Sequence, residues 1–450
     1  MATLKSSSCF VLLPLILVLV YVDSVSSTSR GALNPLTRVV HRAGLRVELR
    51  HVDSGKNLTK LERVRHGIKR GSHRLESLNA MVLAAASPDS EMESPVHAGN
   101  GEYLMTLSIG TPPEEYPAVL DTGSDLIWTQ CKPCSQCYNQ PTPIFDPQKS
   151  SSFSKLSCSS DLCSSLPASI CSDGCQYVYS YGDYSMTQGI LATETFIFGD
   201  SGNQVSVKNI GFGCGEDNEG DGFEQASGLV GLGRGPLSLI SQLKESKFSY
   251  CLTSMEDSKT STLFLGSLGS VNSSSTYGAL TTPLLRNPSQ PSFYYLSLEG
   301  ISVGDTRLSI GKSTFELSDD GSGGVIIDSG TTITYIEQSA FAALKKEFTS
   351  QTKLAVHDSG STGLDVCFTL PSGTTQVEFP KLVFHFKGAD LELPTNNYII
   401  ADSNLGVACL AMGASSGMSI FGNIQQQNLL VNHDLEKETI SFIPVQCDQL

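Results

Sequence analysis

One short pattern occurs twice in this chain and limits what the chain can fold into. Residues 118–124 read Ala-Val-Leu-Asp-Thr-Gly-Ser, and residues 325–331 read Val-Ile-Ile-Asp-Ser-Gly-Thr. Each is an apolar run followed by Asp, a hydroxyl residue, Gly and a second hydroxyl residue. Two apolar residues and a glycine follow downstream of each, at residues 229–231 and 420–422. The repeat predicts two similar halves, each of which supplies one carboxylate to a shared centre.

The two aspartates of the repeat, Asp121 and Asp328, suit chemistry in which two carboxylates act together. Carboxylates about 3 Å apart cannot both ionise, so such a pair shares one proton. The ionised member can take a proton from water, while the protonated member supplies one to a leaving group. Either segment alone could be an ordinary turn, but the two together, with their downstream repeats, favour a catalytic pair.

Four further segments match one family pattern together with the aspartate motifs. They are residues 101–105 (Gly-Glu-Tyr-Leu-Met), 125–131 (Asp-Leu-Ile-Trp-Thr-Gln-Cys), 231–239 (Gly-Leu-Gly-Arg-Gly-Pro-Leu-Ser-Leu) and 419–428 (Ser-Ile-Phe-Gly-Asn-Ile-Gln-Gln-Gln-Asn). With these, nearly the whole chain resembles the pepsin-family aspartic proteases of the plant nepenthesin type. The resemblance implies a mainly β, bilobal, pepsin-like acid protease fold with the active-site cleft between two β-rich lobes. It implies an aspartic-type endopeptidase that uses no cofactor and no metal.

The residues after each aspartate are expected to support its carboxylate. The glycine of each motif permits close approach of another chain segment. It also leaves backbone N–H groups free to donate hydrogen bonds. The last hydroxyl residue can donate a hydrogen bond to the outer carboxylate oxygen. By resemblance to the family, the first hydroxyl residue points the other way and locks the two loops to each other. The supporting residues are Thr122, Gly123, Ser124, Ser329, Gly330 and Thr331.

The segment around Tyr181 resembles the β-hairpin flap that closes over substrate in this family. The resemblance makes Tyr181 the flap tyrosine and Trp128 the residue whose indole N–H partners it. Two core aromatic residues are the alternative; a buried Trp–Tyr pair usually needs such a hydrogen bond. Gly182 and Asp183 belong to the same segment. Tyr184 stands where many relatives have Gly, although a tight hairpin turn there favours Gly.

The N-terminal region predicts two segments that precede the enzyme. In residues 1–24, Lys5 precedes an apolar run from Cys9 to Val22, which predicts a cleaved signal peptide, with an uncleaved anchor as the alternative. Residues 25–80 are basic: residues 28–80 carry a net charge of +8, whereas residues 81–450 carry −23. This split predicts a propeptide that covers the carboxylates of the enzyme, with a solvated linker as the alternative. Helical spacing of apolar residues favours a docked helix, with Leu61, Val64, Ile68, Leu75 and Leu78 on its apolar face.

The remaining chain is too long for one core, which predicts two lobes. We place the N-terminal lobe at residues 81–288, with Asp121, the flap and a Cys-rich insert, and the C-terminal lobe at residues 289–450, with Asp328. Proline, asparagine and serine cluster near the join. Residues 104–109, 193–198, 293–303 and 325–327 are predicted strands, and residues 339–348 a helix with Ser339 as its N-cap.

Thirteen cysteines are present, and loss of Cys9 with the signal peptide leaves twelve, which predicts six disulfides in a secreted chain. Spacing leaves the pairing open. A metal site is the alternative for the cysteine cluster at residues 131–137. The Cys-rich insert is expected to stabilise the fold through its disulfides, with binding of a partner as the alternative. By resemblance, the expected pairs are Cys131–Cys134, Cys137–Cys214, Cys158–Cys175, Cys163–Cys171, Cys251–Cys447 and Cys367–Cys409.

The acidic balance argues against nucleic-acid binding, which needs clustered Lys and Arg. We expect a monomer that acts on proteins and peptides, is inhibited by its own propeptide, and is secreted to the extracellular space or delivered to a vacuole. Sequons place N-glycosylation at Asn57 and Asn272. Some plant proteins of this fold are catalytically silent glycosidase inhibitors or storage proteins, usually with a damaged aspartate pair. Both motifs are intact here, which favours hydrolysis.

Overall fold

A computed structural model describes residues 44–85, 96–97, 103–181, 185–199, 204–220, 223, 225–255, 260–269, 278–358, 360, 362–371 and 377–450. Strands outnumber helices there, which confirms the prediction of a mainly β chain. The predicted signal peptide and the sequon at Asn272 lie outside the described residues, whereas Asn57 is exposed in the segment between Leu45–His51 and Lys60–Ala85. In the described part of the chain, no helix is both long and apolar enough to cross a membrane.

Most strands are short, and their bounds are as follows. In the first part of the chain they are β1 (Leu45–His51), β2 (Val96–His97), β3 (Tyr103–Ile109), β4 (Glu114–Asp121), β5 (Ile127–Gln130), β6 (Ser154–Lys155), β7 (Ser169–Ser172), β8 (Gly174–Tyr181), β9 (Met186–Phe198), β10 (Val205–Glu219), β11 (Gly228–Gly231), β12 (Lys247–Cys251), β13 (Ser261–Leu265) and β14 (Leu280–Leu285). In the second part they are β15 (Tyr294–Leu296), β16 (Leu298–Val303), β17 (Thr306–Arg307), β18 (Val325–Ile327), β19 (Thr334–Glu337), β20 (Val356–His357), β21 (Cys367–Thr369), β22 (Leu382–Phe386), β23 (Ala389–Leu393), β24 (Ile399–Asp402), β25 (Val407–Leu410), β26 (Met412–Ser415), β27 (Ser419–Phe421), β28 (Leu429–Asp434) and β29 (Thr439–Pro444).

The helices are α1 (Lys60–Ala85), α2 (Asp161–Ser164), α3 (Leu239–Leu243), α4 (Gln338–Gln351) and α5 (Asn423–Gln426). The strands predicted from the sequence fall in β3, β9 and β18, and the longest predicted stretch divides into β15 and β16. The helix predicted at residues 339–348 is α4, but Ser339 is not its N-cap. Glu337 caps it, because its carboxylate accepts hydrogen bonds from the backbone N–H groups of Ser339 (2.9 Å) and Ala340 (3.1 Å).

Each aspartate motif lies in the same three-strand arrangement. In the first half, β11 lies parallel to β4, with Gly231 opposite Asp121, and antiparallel to β5. In the second half, β27 lies parallel to β18 and antiparallel to β19. The downstream glycines allow this close passage, because a Cβ on Gly231 or Gly422 would lie 2.3 or 2.4 Å from neighbouring backbone atoms. The repeated sequence therefore folds as a repeated structure, and the predicted bilobal architecture is confirmed.

One antiparallel sheet joins the two halves. Its strands lie in the order β3, β1, β13, β12, β28, β29 and β14. Strand β1 comes from the predicted propeptide and pairs with β13 over residues 45–49 and with β3 over residues 49–51. Alternate residues of β1 are buried in the core (Leu45, Val47 and Leu49). The N-terminal segment is therefore an integral strand of this sheet.

Helix α1 follows β1 and lies against the C-terminal half. Leu61 and Val64 are fully buried there, and Ile68 and Leu75 pack partly buried against the same half. This confirms the docked helix that the apolar spacing predicts. The helix continues to Ala85, so the predicted propeptide boundary at residue 80 lies inside a helix.

Six disulfides form, and two of them have the expected partners: Cys251–Cys447 and Cys367–Cys409. The other four expected pairs are wrong. Cys131 bonds to Cys214, and Cys134 bonds to Cys137. The reason is that β5 runs beside β10, so the backbone N–H of Cys131 donates to the carbonyl of Gly215 at 2.8 Å. This places the Cα atoms of Cys131 and Cys214 5.3 Å apart, within the range that a disulfide spans.

In the Cys-rich insert, Cys158 bonds to Cys171 and Cys163 bonds to Cys175. The resemblance implied the pairs Cys158–Cys175 and Cys163–Cys171 instead. Cys171 and Cys175 lie opposite each other in the β7–β8 hairpin, so their sequence positions alone do not decide the pairing. Cys175 and Cys163 are buried, at 0% and 2% exposure, whereas Cys171 is exposed. The hairpin therefore has one buried disulfide and one near the surface.

Candidate active site

Asp121 is the last residue of β4, and the turn after it supplies the hydrogen bonds of its carboxylate. The backbone N–H of Gly123 donates to Oδ1 at 3.0 Å, and the hydroxyl of Ser124 donates to Oδ2 at 2.6 Å. On the other side, the backbone N–H of Leu232, just after β11, donates to the carbonyl of Asp121 at 2.8 Å. The carboxylate is fully buried and fixed in one orientation.

Asp328 follows β18 and is held in the same way. The backbone N–H of Gly330 donates to Oδ1 at 2.9 Å, and the hydroxyl of Thr331 donates to Oδ2 at 2.6 Å. The backbone N–H of Asp328 donates to the carbonyl of Phe421, at the end of β27, at 3.2 Å. Each half of the chain thus presents one carboxylate with one amide and one hydroxyl donor.

The first hydroxyl residue of each motif connects the two loops. The backbone N–H of Ser329 donates to the hydroxyl oxygen of Thr122 at 2.9 Å, and the backbone N–H of Thr122 donates to that of Ser329 at 3.3 Å. The two hydroxyls also lie 3.2 Å apart. The structure therefore brings both motif aspartates and all six predicted supporting residues into one site between the halves.

Arg74 of helix α1 places its guanidinium between the two aspartates. Its Nη2 donates to Oδ1 of Asp121 at 2.8 Å and to Oδ2 of Asp328 at 2.6 Å, and all three side chains are fully buried. A Cβ on Gly330 would lie 2.7 Å from Nη1 of Arg74, so glycine leaves space for the guanidinium. Sequence reasoning missed Arg74. Its signal was a cation next to Leu75, at the edge of the apolar face of the helix.

The electrostatics of the site follow from burial and from these contacts. Burial raises the pKa of Asp121; Arg74 and Ser124 oppose this, and the Asp328 carboxylate adds to it. Burial alone would lower the pKa of Arg74, but the two carboxylates outweigh it and raise that pKa further. Arg74 therefore keeps its charge in acid, and protons taken up on acidification go to carboxylates.

The predicted flap hairpin lies beside this site and is formed by β8 and β9. The indole N–H of Trp128 donates to the hydroxyl of Tyr181 at 2.5 Å, and both side chains are buried. Their ring centroids lie 6.3 Å apart, and Phe223 contacts both rings. The last three residues named for the hairpin, Gly182, Asp183 and Tyr184, lie outside the described residues.

A third carboxylate, which sequence reasoning did not single out, lies next to the first motif. Asp125 is 7% exposed, and it accepts hydrogen bonds from the backbone N–H of Gly235 and the hydroxyl of Ser292. Burial raises its pKa, and the charge of Asp121 acts in the same direction, whereas the two hydrogen bonds oppose it. Its sequence signal was an aspartate directly after the Asp-Thr-Gly-Ser motif.

Comparisons with known proteins agree with this arrangement. A family model described as "Xylanase inhibitor N-terminal" matches residues 103–267, and one described as "Xylanase inhibitor C-terminal" matches residues 293–444. The chain is 52% identical to aspartic proteinase nepenthesin-1 of Nepenthes gracilis, over 99% of each chain. It is 51% identical to nepenthesin-2 of the same plant, over 97% of this chain and 98% of the relative.

Two solved structures share the fold at low sequence identity. The crystal structure of edgp is 19% identical, with a TM-score of 0.62 over 91% of this chain and 96% of that one. Basic 7S globulin from soybean is 19% identical, with a TM-score of 0.61 over 78% of this chain and 96% of that one. At this identity the likeness concerns the fold alone.

Proposed function

Because the chain belongs to the pepsin-like aspartic proteinases of the nepenthesin type, we propose that it is made as an acid-activated precursor whose Asp121 and Asp328 hydrolyse peptide bonds. The observation that carries this proposal is the pair of matched carboxylates, each with its own amide and hydroxyl donor, beneath one buried arginine. Protein and peptide substrates follow from the family.

The proposed chemistry uses one ionised and one protonated carboxyl. A water between them gives a proton to the ionised member and attacks the scissile carbonyl carbon as hydroxide. The protonated member stabilises the oxygen that becomes negative and then protonates the departing amine. The hydroxyls of Ser124 and Thr331 each donate to one carboxylate, which supports the negative charge that the pair retains. No covalent intermediate is required, because water is the nucleophile.

In the precursor, the N-terminal segment occupies the place that this water and the substrate need. Arg74 contacts both aspartates, and β1 lies in the sheet that joins the halves. The attraction between the Arg74 charge and the two carboxylates is proposed to hold the segment in place while the carboxylates are ionised.

Acid is proposed to release the segment through its carboxylate contacts. Asp53, in the turn between β1 and α1, binds Lys56 at 2.7 Å and Arg70 at 3.1 Å. Burial works against the ionised form, but Arg70 and Lys56 outweigh it and lower the pKa of Asp53 below its ordinary value of 3.8. A lowered carboxyl pKa stabilises the fold above the unfolded value, and this stability is lost as pH falls through the folded value. The turn therefore loosens in strong acid.

Catalysis is tested with acid-treated precursor and a peptide substrate at about pH 3, where a carboxylate pair can share one proton. We expect cleavage that pepstatin blocks. Asp328→Asn and Asp121→Asn should each lower kcat by about 10²- to 10⁴-fold or more, the contribution of a positioned acid or base. Wild-type cleavage rates in either folded variant would contradict the mechanism.

The role of Arg74 is tested with a matched pair of substitutions in α1. Arg74→Gln removes the charge between the aspartates, whereas Arg65→Gln removes an equal charge from an exposed position of the same helix. The conversion of each purified precursor is followed by N-terminal sequencing across a pH series. We expect Arg74→Gln to convert at higher pH than wild type and Arg65→Gln to match wild type. The same pH dependence of conversion for all three proteins would rule out the proposed role of Arg74 in holding the N-terminal segment in place.

We also propose that the protein enters the secretory pathway and is released from the cell. Support comes from the apolar run near the N-terminus and from six disulfides, which form in oxidising compartments. Comparing the mature protein in extracellular fluid and in isolated vacuoles tests this. Enrichment in vacuoles would favour the alternative destination.

A second function is suggested by the descriptions of the two family models, which name xylanase inhibitors. A catalytically silent inhibitor would bind a xylanase and cleave no peptide. The intact aspartate pair favours catalysis, since each carboxylate accepts hydrogen bonds from one backbone amide and one hydroxyl. Tight xylanase binding without peptide cleavage, after removal of the propeptide, would reverse this preference.

A further inference from the structure

A loop with three glycines surrounds the buried carboxylate of Asp125. A Cβ on Gly233 would lie 2.3 Å from its Oδ1, and a Cβ on Gly235 would lie 2.0 Å from its Oδ2. A Cβ on Gly231 would lie 2.3 Å from the carbonyl carbon of Asp125. The close approach therefore requires glycine at all three positions. The Gly-Leu-Gly-Arg-Gly segment makes room for one carboxylate and gives it a backbone N–H donor, that of Gly235, at 2.9 Å.

Asp125 also reaches the other half of the molecule. Its Oδ2 accepts the hydroxyl hydrogen of Ser292 at 2.5 Å, and the carbonyl of Ser292 accepts the backbone N–H of Arg234 at 3.0 Å. Ser292 lies two residues before β15, in which Tyr294 pairs with Ile327 of β18. Residue 327 directly precedes Asp328. A short route of chain and hydrogen bonds thus joins the two catalytic loops through Asp125.

The titratable groups around Asp125 come from several elements. Asp121 lies in the same loop, Tyr179 faces it from β8, and Tyr294 faces it from β15. Arg234 lies in the glycine loop, but its guanidinium pairs with Glu438 and donates to the carbonyl of Leu285. Among the described residues, no cation forms an ion pair with Asp125 itself. Its contacts are hydrogen bonds that either a carboxyl or an amide can make.

We propose that Asp125 is a positioning residue: it ties the first catalytic loop to Ser292 and so sets the spacing between the Asp121 and Asp328 carboxylates. This inference rests on the proposed role of that pair. Misplacement of a reacting group by about 1 Å can cost about 10²-fold in rate, so a tether between the halves affects kcat more than substrate binding.

Three variants of the acid-activated enzyme test the proposal. Asp125→Ala removes both hydrogen bonds and should lower kcat by about 10- to 100-fold, with KM within about threefold. Asp125→Asn can keep both hydrogen bonds and should recover kcat to within about threefold at pH 3. Ser292→Ala removes only the contact between the halves and should lower kcat by about tenfold. Ser249→Ala is the matched control, because Ser249 lies in β12 of the joining sheet and its buried hydroxyl donates to the carbonyl of Gly269, away from Asp125.

The split between kcat and KM separates positioning from a purely structural role, because a contact that only stabilised the fold would leave the kcat of the folded enzyme unchanged. If wild type itself shows no pepstatin-sensitive cleavage, the proposed function fails, and this inference fails with it. If wild type cleaves but folded Ser292→Ala keeps wild-type kcat, the positioning role alone is overturned. Ser292→Ala also decides the matter should Asp125→Ala fail to fold.

Discussion

His433 is a buried histidine in the sheet that joins the two halves, and it predicts a pH-dependent loss of stability. It lies in β28, its ring stacks on that of Phe248 at a centroid distance of 4.2 Å, and Tyr294 contacts it edge-on at 4.7 Å. Burial lowers the pKa of His433 to about 3, and the charge of Arg234 acts in the same direction. The ring is therefore neutral in the folded protein at pH values where it is charged in the unfolded chain.

The size of the effect follows from the two pKa values. The unfolded histidine binds a proton below its ordinary pKa of 6.5, whereas the folded one binds it only near 3. Because the folded pKa is lowered, the unfolded state holds more protons between these values, and stability falls as pH falls through this window. At about 1.4 kcal/mol per pH unit, the loss reaches about 4 kcal/mol at pH 3. His433→Phe keeps an aromatic ring in the stack and removes the titration.

We therefore expect His433→Phe to raise the free energy of unfolding at pH 3 by about 4 kcal/mol more than it does at pH 7. Urea denaturation measures this, followed by the fluorescence of Trp128, with Asp328→Asn in every protein to prevent self-digestion. His357→Phe, at a half-exposed position in β20, is the control for replacing a histidine with phenylalanine in this protein. An equal effect of His433→Phe at both pH values would refute the reasoning.

Three further substitutions have expected outcomes. Trp128→Phe removes the hydrogen bond to Tyr181 and should lower kcat/KM by about three- to tenfold without unfolding the protein, which a peptide assay and thermal melting would show. Gly231→Ala should prevent folding, because the added carbon would lie 2.3 Å from the backbone of Asp125, and soluble expression with a cooperative melt would contradict this. Asp53→Asn removes the ion pairs of the β1–α1 turn and should move precursor conversion to higher pH, as followed by N-terminal sequencing.

The repeated motifs could be predicted from the sequence because their structure is local. In each, the aspartate, the glycine N–H and the second hydroxyl lie within four consecutive residues, so the order of residue types already specifies the hydrogen bonds. The apolar spacing of α1 was informative for the same reason. The N-cap of α4 was misassigned, because Glu337 and Ser339 are both plausible acceptors and only the backbone path decides between them.

The disulfides of the insert and the role of Arg74 could not be predicted, because they depend on contacts between distant segments. Cys171 and Cys175 lie opposite each other in one hairpin, and their partners Cys158 and Cys163 come from the segment before it, so spacing does not assign the pairs. Arg74 meets Asp328, 254 positions away in sequence, after a strand and a helix have both docked. The charge split predicts that a basic segment covers the carboxylates, with a solvated linker as the alternative, but it does not identify which cation contacts them.

The duplicated architecture also explains why the bridging cation comes from outside the repeat. Each half supplies an equivalent carboxylate with equivalent donors, so the site between them has nearly twofold symmetry. A residue that contacts both carboxylates with one atom, as Nη2 of Arg74 does, must lie near the symmetry axis, where there is room for only one such residue. A copy from each half would place two cations in the same space. An N-terminal extension avoids this conflict, because it lies outside both aspartate motifs.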